Sequence, residues 1–259
     1  MLVFIIPLKS QEVSKSWRLT CKLLERCLRS ICSQTDPHFR VLVVCNSKPE
    51  IPYSHSQIEY LEVDLKTPKT YEEKSFDKSQ KTILGLMYSQ KFSASHAMVV
   101  DADDCVSNRI VAFVNSHPES DGWILKKGYI YKENDLMMRR EGSRFNQLCG
   151  SCNILKFKLY PLPENTDHFS DELIYFYSGF NHGKFERFFK DQDVILKPLP
   201  FAGVIYIIGN GENIYQNDFS KINGSHQGKL FFHIKQMRKL RPLLPPTRRE
   251  FSLYPISRA

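Results

Sequence analysis

Two short segments of this chain, Leu2–Ile6 (LVFII) and Phe39–Cys45 (FRVLVVC), are apolar at nearly every position. A strand with one face in water alternates apolar and polar residues. An unbroken run instead suits a strand buried on both faces, as in a parallel sheet covered by crossover helices. Pro7 ends the first run, and Asn46-Ser47-Lys48-Pro49 turns the chain after the second. Between them, Trp17–Ser33 carries Leu23, Leu24, Cys27, Leu28 and Ile31 at helical spacing, with Ser14 or Ser16 available as a cap. There follow a weaker strand at Ile58–Val63, a helix over Phe76–Gln90 and a fourth apolar run at Ala97–Val100. The helix is expected to turn Phe76, Ile83, Leu84, Met87 and Tyr88 inward. This order predicts an α/β chain: a Rossmann-type mixed, mostly parallel sheet with helices on both faces.

The fourth run delivers three carboxylates, Asp101, Asp103 and Asp104 (MVVDADDC, residues 98–105), to the end of a buried strand. Carboxylates are costly in such a place unless a cation or hydrogen-bond donors meet them. Ligands of parallel sheets bind beyond the carboxyl ends of the strands, so this cluster, Pro7–Lys9 and Asn46–Ser47 are expected to converge on one crevice. Hard divalent cations commonly bridge one or two protein carboxylates to substrate phosphates, which points to a metal–phosphate site. A helix cap accounts for one aspartate of the three, and Asp104 is assigned that role.

Beyond residue 120, Gly122–Leu125 and Tyr129–Lys132 read as a hairpin through Lys126-Lys127-Gly128. Cys152–Phe157 and Val204–Ile208 read as strands, and Glu172–Gly179 as a helix. The net charge of +8 is concentrated from Lys229 onward, where eight basic residues meet one acid, Glu250. The rest is close to neutral, which argues against a nucleic-acid-binding surface. In the tail, Leu230, Phe231, Ile234, Met237 and Leu240 interleave with lysines and arginines over Lys229–Arg241. Such a basic amphipathic helix can lie on an anionic membrane, or dock its apolar face on the core. No run is long enough to span a bilayer, and the N-terminal run lacks a basic leader and a cleavage site. The seven cysteines suggest free thiols in a reducing compartment, and Cys149–Cys152 (CGSC) reads as an ordinary loop. The expected location is cytoplasmic, with the tail at the inner face of the membrane.

Four stretches, FIIPLKS, LLERCLRSICSQTDPHFRVLVVCN, KSQKTILGLMYS and MVVDADDCVS, together resemble the N-terminal half of family 2 glycosyltransferases of the GT-A fold, over residues 1–115. The resemblance implies a GT-A-like sheet and a metal-dependent, inverting transfer of a sugar from a nucleotide-diphospho-sugar to a hydroxyl of a glycan or lipid-linked glycan. It divides the chain into a nucleotide-sugar-binding half (1–115), an acceptor half of the same domain (116–228) and the basic tail (229–259). Pro7 and Leu8 match the wall that packs on the base. Cys45 or Asn46 falls where such enzymes often place an acidic residue against base or ribose. Lys81 matches a basic residue near the nucleotide. Asp101, Ala102 and Asp103 match the Asp-x-Asp that holds ribose and Mn²⁺ or Mg²⁺ on the diphosphate, with Asp103 as direct metal ligand. Within the polar loop Asn210–Lys229, which resembles a lid, His226 completes the metal site or touches diphosphate. The carboxylate base is expected among Asp167, Asp171 and Glu172, and Trp123 is offered as a stacking platform for an acceptor sugar. Two other functions share this architecture: a sugar nucleotidyltransferase, and a non-catalytic carbohydrate- or partner-binding module. Pro7-Leu8-Lys9-Ser10 stands where the nucleotidyltransferases carry a glycine-rich, arginine-containing loop.

Overall fold

A computed structural model describes residues 1–166, 169–179, 184–213 and 237–257. Its strands, numbered along the chain, divide between two sheets. The larger holds β1 (Leu2–Pro7), β2 (Phe39–Cys45), β3 (Ile58–Glu62), β4 (His96–Val99), β6 (Gly122–Ile124), β9 (Asn153–Lys156) and β10 (Lys197–Pro198). Their order is β10-β6-β9-β4-β1-β2-β3, and only β9 runs against the other six. The smaller sheet, in the order β12-β8-β7-β11-β5, holds β5 (Cys105–Val106), β7 (Gly128–Lys132), β8 (Met137–Glu141), β11 (Val204–Ile208) and β12 (Leu240–Pro242). This is the mixed, mostly parallel α/β arrangement that the apolar runs predict.

The unbroken runs arise because alternate residues of one strand face different helices. From β1, Leu2, Phe4 and Ile6 pack with Leu24, Cys27, Leu28 and Ile31 of α1 (Trp17–Cys32). Val3 and Ile5 turn to the other face, against Ile83 and Leu86 of α2 (Tyr71–Ser89). Each such side chain, fully buried, contributes about 1.5–3 kcal/mol. Ser16, one of the two expected caps, accepts from Leu19 N and opens α1. Helix α2 lies close on the sheet at Gly85, where a Cβ would stand 2.7 Å from Ile5 Cγ2 and 2.8 Å from Val44 Cγ2.

Several expectations are corrected. Helix α2 begins five residues before Phe76, because Thr70 and Glu73 form a reciprocal capping box. Its buried face carries Ile83, Leu86, Asp77 and Lys81, while Phe76 is 48% exposed. Residues 122–132 are not a hairpin: β6 pairs with β9 and β10, and β7 belongs to the other sheet. The true hairpin joins β7 to β8 through Asn134, whose φ of 69° supplies the turn. In the tail, 229–236 lie outside the described residues, and Leu240–Pro242 pairs with β8 as a strand instead of continuing a helix. Among the described residues no helix is long and apolar enough to cross a membrane.

Candidate active site

A cavity of about 510 Å³ opens at the carboxyl ends of β1 and β4. One wall is the loop Pro7–Lys9 after β1, continued by Val13 and Lys15. A stripe of α2 also lines the cavity, in which Tyr71, Lys74, Ser75 and Lys78 recur at i, i+3, i+4 and i+7 and so share one helical face. Asp101, Ala102, Asp103, Leu148, Gly150, Tyr206, Glu212 and Asn213 line the rest.

Within the acidic cluster each aspartate has a different task. Asp101 pairs with Lys78 through Oδ1. Burial pulls the Lys78 ammonium down, but the Asp101 charge outweighs it and holds the group above its ordinary value. Asp103 Oδ2 accepts from Asn210 Nδ2 at 2.7 Å and Asn213 Nδ2 at 2.9 Å. Desolvation, then the Asp101 charge, pushes the Asp103 carboxyl up, and the Asn210 amide offsets part of this. Asp104 is fully buried and does not line the cavity. Its oxygens accept from Ser151 Oγ at 2.7 Å, Cys149 Sγ at 3.3 Å and Ile207 N at 3.2 Å. It therefore caps no helix; α3 (Ile110–Asn115) starts after Arg109. Ser151 Oγ also accepts the Asp101 N–H at 2.8 Å, so Asp104 fixes the backbone of Asp101 through one hydroxyl. Cys149 and Cys152 are both buried free thiols in this supporting turn.

The loop after β11 is clamped onto the site from far along the chain. Glu212 accepts from Lys9 Nζ at 2.5 Å, Ser16 N at 2.7 Å and Lys15 N at 3.2 Å. Burial pushes its carboxyl up, but Lys9 and the two amides prevail and hold it below the usual range. Asn210, Glu212 and Asn213 lie in the loop that the sequence marked as lid-like, but their individual roles were not legible, because their partners Asp103 and Lys9 lie more than a hundred positions away.

Of the residues singled out in the sequence, Pro7, Leu8, Asp101, Ala102 and Asp103 line the cavity. Asn46 follows β2 outside it, with its amide donating to Leu65 O at 2.9 Å. Lys81 is fully buried and spends its ammonium on Leu8 O at 2.9 Å and Asp77 Oδ2 at 2.8 Å; Lys78, one turn earlier, is the lysine beside Asp101. Asp171 and Glu172 are exposed in the first turn of α4 (Asp171–Gly179), which Ser170 caps, and they do not line the cavity. Two turns on, Ser178 does. Asp167 and His226 lie outside the described residues. Trp123 is no stacking platform: it is 2% exposed, packed between His96 and Phe113.

The pair Asp101 and Asp103 fits a divalent cation in its chemistry, since both are hard oxygen donors and Asp103 pays for its desolvation in the present charge state. Among the described residues no set of three His, Cys, Asp or Glu side chains is arranged to hold a metal ion.

No protein-family model matches the chain, and no curated protein is significantly similar to it. Among solved structures, S. aureus TarS 1–349 in complex with UDP superposes with a TM-score of 0.46 at 14% identity, covering 80% of this chain and 60% of that one. The Francisella tularensis cytidylyltransferase IspD superposes with a TM-score of 0.36 at 13% identity, covering 91% and 99%. The bifunctional IspDF of Campylobacter jejuni gives 0.38 at 12% identity, covering 86% and 54%. The chain thus spans 60% of the length of TarS 1–349.

Proposed function

We propose that this chain is a GT-A-type glycosyltransferase that moves a sugar from a nucleotide-diphospho-sugar to a hydroxyl of a glycan or lipid-linked glycan, with inversion. The observation that carries this reading is the meeting of Asp101, Asp103 and Lys78 with the Pro7–Lys9 loop in one cavity at the carboxyl ends of parallel strands. In glycosyl transfer the departing nucleoside diphosphate gains negative charge, and fixed positive groups aimed at it lower the barrier. Asp101 and Asp103 would hold Mn²⁺ or Mg²⁺, which offsets that charge as a Lewis acid. Asn210 and Asn213 orient the Asp103 carboxylate for this task. Lys9, Lys15, Lys74 and Lys78 bring further ammonium groups to the cavity. Lys9 and Lys78 have carboxylate partners, whereas Lys15 and Lys74 have none among the described residues and are the groups available to phosphate.

The base that deprotonates the acceptor belongs, in this reading, to the stretch carrying Asp167, Asp171 and Glu172, and His226 joins the diphosphate from the following loop. A panel of nucleotide-diphospho-sugars incubated with the protein and Mn²⁺ tests the assignment. Slow release of nucleoside diphosphate from one donor by the wild type, and none by Asp103→Ala, is the expected result. Release from no donor would overturn it.

A further inference from the structure

We infer that Asp77 is a ligand-binding residue whose free carboxylate oxygen accepts a hydrogen bond from the nucleoside half of the donor. This rests on reading the cavity as a nucleotide-sugar site. Asp77 lines the cavity yet is only 7% exposed. Its Oδ2 takes the Lys81 ammonium at 2.8 Å, and its Oδ1 is buried with no hydrogen-bond partner. Buried polar atoms in folded proteins are nearly always paired, and a bare carboxylate oxygen is among the costlier exceptions. A cavity wall is where a ligand can supply the missing donor.

Lys81 sets the aim of this carboxylate. It is fully buried and also donates to Leu8 O at 2.9 Å, so a single ammonium ties Asp77 to the loop after β1. Lys81 is thus a positioning residue, one step removed from the ligand. The diphosphate is excluded as the partner of Oδ1, because an ionised phosphate has no hydrogen to give and repels a carboxylate. The N–H and O–H groups of a nucleotide-sugar lie in its base, its ribose and its sugar. Pro7 and Leu8, coupled to Asp77 through Lys81, set an apolar wall nearby, which suits a flat base and its ribose better than a hydroxyl-covered sugar.

Calorimetric titration of the whole chain with UDP, GDP, 2′-deoxy-UDP and inorganic pyrophosphate, each with Mn²⁺, tests this on wild type and Asp77→Asn. The double variant Asp77→Asn/Lys81→Gln, which leaves no unpaired buried charge, keeps the test decisive where the single variant unfolds. The expected result is a loss of about tenfold or more in affinity for the nucleoside diphosphate that binds, with pyrophosphate unchanged. A loss that persists with 2′-deoxy-UDP assigns the bond to the base or the remaining hydroxyl, and one that vanishes assigns it to the 2′-hydroxyl; both support the inference. Equal loss for pyrophosphate, or no loss at all, would overturn it. Failure of the wild type to bind any nucleoside diphosphate would instead overturn the functional reading beneath it.

Discussion

Replacing Gly150 by alanine perturbs the acidic end of the cavity while sparing the fold. A Cβ there would lie 2.6 Å from Asp101 Oδ2 and 3.3 Å from Lys78 Nζ, so the carboxylate must turn away. The backbone of Asp101 is held by Ser151 at 2.8 Å, and the movement therefore falls on the side chain and breaks its pair with Lys78. The two side chains are 25% and 28% exposed, which screens the pair and limits the stability cost to about 1 kcal/mol. For a chain of this length that lowers Tm by about 2–4 °C. Ligand binding suffers more. Losing a hydrogen bond to a charged group costs about 1.5–3 kcal/mol, or about 10- to 150-fold in Kd. Gly142→Ala is the matched control, because a Cβ there meets nothing within 4 Å. Calorimetry with UDP or GDP and Mn²⁺, beside thermal melts, should show weakened binding in Gly150→Ala and wild-type behaviour in Gly142→Ala. Wild-type affinity in Gly150→Ala, or equal loss in the control, would refute the placement of the donor against Asp101 and Lys78.

Three further perturbations address the scaffold. Gly85→Ala drives a methyl into Ile5 and Val44 and should cost about 1–3 kcal/mol in urea denaturation. Arg26 and Glu133, joined by bonds of 2.9 and 2.8 Å with both side chains almost fully buried, tie α1 to the strand end of β7; Glu133→Gln should cost about 3–5 kcal/mol, measured by the same unfolding. Asp104 tests pH linkage: burial, then the charges of Asp103 and Asp101, lift its carboxyl well above the ordinary value. The folded state then keeps a proton that the unfolded chain sheds near pH ~4, so this group adds stability at acid pH that is lost as pH rises through its folded value. Asp104→Asn should flatten that fall in the urea midpoint between acid and neutral pH, and an unchanged slope would show that Asp104 is ionised in the fold.

The parts of the fold that were legible in the sequence are those with dense local signal. Leu2–Ile6 and Phe39–Cys45 are apolar on both faces because α1 and α2 cover both, and that pattern needs no partner to be read. The start of α2 was also written locally, in Thr70 and Glu73, but the apolar spacing from Phe76 onward masked it. In the smaller sheet β7 and β11 were legible as apolar runs, whereas β8 (MMRRE) was not: its only buried residues are Met138 and Glu141, and the burial of Glu141 depends on Lys239, far along the chain. In the site, the strand-end logic placed Pro7, Leu8, Asp101 and Asp103 in one cavity. It could not separate Lys78 from Lys81, since helix rotation against the sheet decides which lysine faces the cavity and which becomes a buried strut. Asn210, Asn213 and Glu212 reach the site only through the tertiary fold.

The most direct measurement is calorimetric titration of UDP and GDP, with and without Mn²⁺, on the wild type and on Asp103→Ala. Nucleoside-diphosphate binding that requires the metal in the wild type and disappears in Asp103→Ala is the expected result. A wild type showing no metal-dependent binding of either nucleotide would contradict the assignment of this cavity to a nucleotide-sugar donor.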